Sequence, residues 1–158
     1  MAKKKSADEK KRPATINNRR ARFDYEIVET FEAGLVLVGS EVKSVFLGRV
    51  NLTDSYCKVI NEELWMLNAD IEPYTHSSHF LPERRRDRKL LMHRKEINTL
   101  ERKSLEKGLS LLVLGMYFKN GKVKVTVGLG RGKKEYDKRT QIKDKETRLE
   151  KGRMRNIR

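Results

Sequence analysis

The chain has one cysteine, three histidines, three prolines and one tryptophan among its 158 residues. A lone Cys57 excludes a disulfide framework and a cysteine-built zinc site. His76-Ser-Ser-His79 has two ring ligands at close spacing, but His93 is the only other histidine. Structural zinc wants four nitrogen or sulfur ligands, so no metal and no cofactor is expected. No apolar run approaches the ~18 residues of a membrane span. The start lacks the apolar core of a signal peptide and the pattern for myristoylation, and the end lacks a prenylation cysteine. These absences describe a soluble monomer of a reducing cytoplasm with no membrane partner. No nucleophile–base pair, paired carboxylates or metal cluster stands out, so a binding protein rather than an enzyme is expected.

What the chain has in excess is positive charge, a formal +15, gathered at its two ends. Residues 1–22 hold nine Lys/Arg against two acids, and residues 131–158 hold twelve against five. Residues 23–130 hold sixteen against fifteen. A nearly neutral body therefore carries two cationic arms. Arms so poor in apolar groups do not offset the entropy of their own ordering and call for a polyanion, most simply a phosphate backbone. The expected organisation is a disordered basic arm over 1–17, a body over 18–130, and a tail over 131–158. That tail is expected to be disordered alone and helical when bound.

Hydrophobic alternation reads as strands. Val123, Val125, Val127 and Leu129 alternate with Lys124, Thr126 and Gly128. Leu109–Phe118 and Lys122–Leu129 form a hairpin about Asn120-Gly121, a type I′ turn signal. Tyr56–Ile60 and Leu64–Ile71 form another about Asn61-Glu62-Glu63, with Trp65, Leu67, Ala69 and Ile71 on the core face. A strand starting at Phe23 turns at Phe31-Glu32-Ala33-Gly34 and returns through Leu35–Val38. Ser40 caps a short helix presenting Val42, Val45 and Phe46, and Gly48 ends it. Residues 84–107 read as a helical region with Ile97, Leu100 and Leu105 as its stripe. The fold class is mainly β: a six-stranded antiparallel OB-like barrel with two to three flanking helices and the two basic arms.

Three stretches carry the candidate chemistry. Arg19, Arg20 and Arg22 sit where the arm meets the body, which fixes them in space. Arg84, Arg85, Arg86, Arg88 and Lys89 put five cations in six positions, more than a solvated face requires, and read as a phosphate-binding patch. Lys133-Lys134-Glu135-Tyr136-Asp137-Lys138-Arg139 mixes cations with one aromatic that can stack on an unpaired base. The preceding Gly128-Leu-Gly-Arg-Gly-Lys-Lys134 resembles a phosphate loop but fails the Walker pattern at Val127 and Lys134. Its glycines are expected to admit close backbone approach and a bend out of the body. The competing readings are a general rRNA-binding ribosomal protein and an RNA-processing enzyme, for which Glu62-Glu63 offers only a turn.

Asn18-Arg-Arg-Ala-Arg-Phe-Asp-Tyr25, Phe31-Glu-Ala-Gly34, Glu41-Val-Lys-Ser44, Arg88-Lys-Leu-Leu91 and Gly132-Lys-Lys-Glu-Tyr-Asp-Lys-Arg139 occur in this order over residues 14–158. In combination they resemble the small protein B family, partner of transfer-messenger RNA in bacterial ribosome rescue. The resemblance implies an OB-like barrel that binds the tRNA-like domain of that RNA. It implies an RNA-facing surface containing Glu32 and the strands around it, Arg88, Lys89, Leu91 and His93; Arg19, Arg20, Arg22, Gly34, Lys43, Arg86 and Lys124 are expected to join it. It also implies decoding-centre contacts by Lys133, Lys134, Tyr136, Asp137, Lys138 and Arg139, with the distal tail in the mRNA path of the small subunit. By the same resemblance, elongation factor Tu and alanyl-tRNA synthetase are indirect partners.

Overall fold

The structure is a computed structural model and describes residues 12–76 and 81–155. Alternation dictates its longest strands. β8 (Ser110–Lys119) and β9 (Lys122–Gly132) pair through Asn120-Gly121, whose φ values of 51° and 73° make the turn. Val123, Val125, Val127 and Leu129 point into the core.

β2 (Tyr25–Leu35) lies along β9 from Tyr25 opposite Gly132 to Gly34 opposite Lys124. The expected turn at Phe31–Gly34 is absent: a register shift at Val28 passes the strand from Tyr25 and Ile27, which pack with Leu112 and Leu114, to Phe31 and Ala33, which face the main core opposite Val127 and Val125, and the pairing continues. Gly34 instead admits a close neighbour: a Cβ there would stand 3.3 Å from that of Leu91.

β4 (Tyr56–Ile60) and β5 (Glu63–Leu67) form the second hairpin about Asn61 and Glu62, both at positive φ. Leu64 and Met66 face inward, so Trp65, expected in the core, lies half-buried on the other face. Asn68, at φ 58°, resets the alternation and returns Ala69 and Ile71 to the interior. Ile71 belongs to β6 (Asp70–Ile71), which pairs with β3 (Val50–Asn51) in a separate two-stranded sheet.

The expected helical region divides. Arg88–Leu91 is strand β7, with Leu90 opposite Leu64 of β5 and Leu91 opposite Gly34 of β2. The helix α3 (Arg94–Lys107) starts only after His93 and ends at Gly108, φ 60°. Its Ile97 and Leu100 are buried, whereas Leu105 is exposed. Two helices precede these elements. α1 (Arg19–Asp24) stands where a strand from Phe23 was expected. α2 (Gly39–Phe46) is capped by Glu41, whose carboxylate accepts from the Val38 N–H, and not by Ser40.

β1 (Ile16–Asn17) pairs with Met116 and Gly115, so the last two residues of the expected arm join the body. Residues 1–11 of that arm, and His79, lie outside the described residues. α4 (Glu135–Arg155) follows β9 and buries no residue.

The described elements are nine strands and four helices, mainly β, with every pairing antiparallel. Six strands pair in the cycle β8-β4-β5-β7-β2-β9 and back to β8. A single residue pair, Tyr56 opposite Leu112, joins β4 to β8. Leu64, Met66, Leu90, Val113, Val125 and Val127 form its core, with Leu100 of α3 and Val45 of α2 packed in. No described helix is long and apolar enough to cross a membrane.

Candidate nucleic-acid interface

The cationic run at 84–89 is not a bare phosphate patch. Arg88 is wholly buried. Its Nε donates to Glu41 Oε2 at 2.7 Å, Nη1 to the carbonyl of Ala69 at 2.8 Å, and Nη2 to that of Arg84 at 2.9 Å. Arg86 forks onto the same Glu41 carboxylate. Arg84 holds Asp70 through two bonds of 2.9 and 3.2 Å, Lys89 holds Glu63 at 2.9 Å, and Arg85 lies 3.9 Å from Asp54. Asp70 pushes the Arg84 guanidinium up. Burial pushes the Glu41 carboxyl up, but Arg86, the Val38 amide and Arg88 outweigh it and hold Glu41 below its ordinary value. Burial draws the Arg88 guanidinium down. A buried charge this well satisfied is an internal strut, so the expected direct RNA contact by Arg88 is corrected to a structural role.

Further exposed cations stand on α1. Asn18 is buried, and its side-chain amide donates to the carbonyls of Leu52 (2.8 Å) and Val113 (2.9 Å) while its oxygen caps Ala21 (3.1 Å). This clamp fixes α1 on the body and leaves Arg19, Arg20 and Arg22 exposed. Arg20 reaches Asp24 at 3.6 Å and Asp54 at 3.8 Å. The start of the tail lies against the same helix: the Lys133 amide donates to the Asp24 carbonyl at 2.9 Å and its Nζ to the Arg22 carbonyl at 3.3 Å. Arg22, Tyr25, Glu26, Lys133, Asp137 and Gln141 line one groove of about 550 Å³. Two cationic segments more than a hundred residues apart thus form one surface.

A second surface lies on β2, β7 and β9. Gly34 faces Leu91 on one side and Lys124 on the other, and all three line a groove of about 350 Å³. Leu91 is 54% exposed, unusual for a leucine on a paired strand. Glu32 accepts from the Tyr117 hydroxyl and from Lys119. These bonds hold its carboxyl below the ordinary value, and the Tyr117 phenol is pushed up to about 12. His93 is exposed at the start of α3, and Lys43 stands 5.1 Å above the ring of Tyr74. Lys89 borders this surface, with β7 between β5 and β2.

In the tail, Lys134, Tyr136, Asp137 and Arg139 are exposed, Tyr136 by 78%. Arg139 pairs with Glu135 one turn back, and Lys138 reaches Asp24 at 3.2 Å. Tyr136 offers a ring to a base, with cations on either side for phosphates. Cys57 is buried and its thiol is pushed up to about 12, which removes it as a nucleophile. Among the described residues no group of three His, Cys, Asp or Glu could hold a metal.

The residues missed from the sequence are those that position others. Asn18 and Glu41 look like members of polar runs, and only the fold shows that they are buried. Tyr117 and Lys119 did carry a signal: they lie two apart on β8, on its outward face beside Glu32.

Comparison with known proteins gives a consistent result. The family described as SmpB protein matches residues 15–156. An SsrA-binding protein of Thermobifida fusca is 48% identical over 151 residues, covering 95% of this chain and 94% of that one. One of Syntrophobacter fumaroxidans is 48% identical over 158 residues, covering 100% and 98%. A solved structure described as "tmRNA-SmpB: a journey to the center of the bacterial ribosome" superposes with a TM-score of 0.65. It is 47% identical and covers 77% of this chain and 85% of that one. The chain belongs to the SmpB protein family.

Proposed function

We propose that this chain binds the tRNA-like domain of transfer-messenger RNA and delivers it to stalled ribosomes in trans-translation. The relatives named for binding SsrA, and a structural neighbour named for transfer-messenger RNA and the ribosome, support this reading. The observation that carries it on this chain is the separation of two surfaces: the Gly34–Leu91–Lys124 groove on the body, and an exposed cationic helix leading away from it. The first surface, with Glu32, His93 and Lys43, takes the RNA. The cycle of six strands is an OB-like barrel in this reading. Arg86 and Arg88 act from inside by fixing β7.

The tail residues Lys133, Lys134, Tyr136, Asp137, Lys138 and Arg139 meet the decoding centre of the small subunit, and the rest of α4 occupies the mRNA path when that path is empty. Because α4 has no apolar face on the body, its far turns are marginal in isolation and are held in place by RNA, whereas its base is tied to the body. Aminoacylation and delivery chemistry fall to alanyl-tRNA synthetase and elongation factor Tu, and the chain acts in the cytoplasm as a monomer and not as an enzyme.

The test is the triple variant Asp137→Ala, Lys138→Ala, Arg139→Ala. It keeps affinity for the free tRNA-like domain and loses peptide tagging on ribosomes stalled without a codon. Weakened RNA affinity, or tagging at the unmutated level, would sink the division of labour.

A further inference from the structure

α4 projects from the body as a helix of 21 residues, about 30 Å at 1.5 Å per residue, with no buried residue to fix its direction. A small rotation at its base therefore moves its far end by many ångströms. What sets that base is concentrated on one residue. The Asp24 carbonyl accepts from the Lys133 amide at 2.9 Å, and the Asp24 carboxylate holds Lys138 Nζ at 3.2 Å, one turn into the helix. Among the described residues, this is the one ion pair from α4 to the body. Lys138 is correspondingly more covered than its exposed neighbours Asp137 and Arg139. Asp24 ends α1 next to Arg22, whose carbonyl receives Lys133 Nζ, and its carboxylate also lies 3.6 Å from Arg20.

We propose that Asp24 is a positioning residue: it latches Lys138 and thereby aims α4 relative to the RNA-binding body. The latch is a partly exposed ion pair, which is weak and exchangeable. Lys138 can leave Asp24 for a phosphate once the tail is seated. Arg20, on the same carboxylate, links the latch to the arginines of α1. The functional half of this inference rests on the reading given above, whereas the geometric half does not.

The test measures the distance distribution between spin labels at Lys95→Cys on α3 and Lys143→Cys near the base of α4, in the full chain. Cys57 is buried and does not take label. The distribution is narrow with Asp24 present, broad in Asp24→Asn and in Lys138→Met, and narrow again in Asp24→Glu. Thermal stability and affinity for the tRNA-like domain stay unchanged in Asp24→Asn, while tagging falls by about fivefold, the factor that loss of a partly exposed ion pair brings. An unchanged distribution in Asp24→Asn overturns the latch, and a broadened one with full tagging overturns its role in aiming. Failure of the unmutated chain to bind the tRNA-like domain would instead count against the proposed function and leave the distance result standing.

Discussion

Glu41 joins three segments of the body through one carboxylate. It is buried, takes two guanidinium groups, and accepts the amide that starts α2. Glu41→Gln keeps the shape but leaves Arg88 charged and buried, so we expect a loss of about 3–5 kcal/mol in urea unfolding followed by Trp65 fluorescence. The pH dependence has a definite sign. A carboxyl whose folded value is depressed contributes stability above the ordinary carboxylate range and loses it as pH falls through the depressed value. Unfolding of the parent chain therefore has an acid limb that Glu41→Gln flattens, and identical acid limbs in the two proteins would refute this. Nothing in the sequence distinguishes Arg88 from Arg85. Both lie in one charged run, and which guanidinium turns inward depends on strand parity in β7, where Arg88 and Leu90 share a face.

β9 was legible as far as Leu129, because its alternation and the Asn120-Gly121 turn are local properties; its run on to Gly132, where a bend and the tail were expected, depends on pairing with Tyr25 and Glu26 of β2. Its glycines divide as the contacts dictate. A Cβ on Gly128 would stand 2.7 Å from Leu114 Cδ1, and one on Gly130 would stand 2.6 Å from Leu112 Cδ1. Both leucines are buried under Ala21 of α1 and cannot swing away. Gly128→Ala should cost about 1–3 kcal/mol, and pairing it with Leu114→Ala should recover part of that. Gly132→Ala meets nothing within 4 Å and should be neutral, within about 0.5 kcal/mol. Equal effects at the two sites in a thermal melt would contradict the packing. The less legible elements are those where competing signals overlap. Gly34 looks like a turn residue, but long-range pairing to Lys124 and Leu91 keeps the strand going. Charge hid β7, because a four-residue strand with two leading cations has too little alternation to show. Trp65 was misplaced by one step of parity, and Asn68 restored the phase afterwards.

Over the whole molecule, the charge census separated the body from its arms before any element was known, but it did not show that Arg88 is buried or that its neighbours at 84–89 have acidic partners. Arg84, Arg86, Arg88 and Lys89 pair with Asp70, Glu41 and Glu63, acids brought from distant segments by the fold. The proposed RNA surface comprises Gly34, Leu91 and Lys124, which the strands juxtapose, and Arg19, Arg20 and Arg22 on the helix that Asn18 anchors. Since α4 buries no residue, truncation after Gly132 should leave the urea midpoint of the body unchanged and remove helical circular dichroism. A lowered midpoint would mean that the tail supports the body. The most direct measurement is a binding titration of the full chain and of this truncation with a tRNA-like domain transcript. Ordinary tRNA and duplex RNA serve as competitors at two salt concentrations. We expect tight, selective binding by both proteins, with a shallow salt slope set by few phosphate contacts. Weak, unselective and steeply salt-dependent binding that disappears on truncation would contradict recognition by the body and leave only a basic-armed RNA binder.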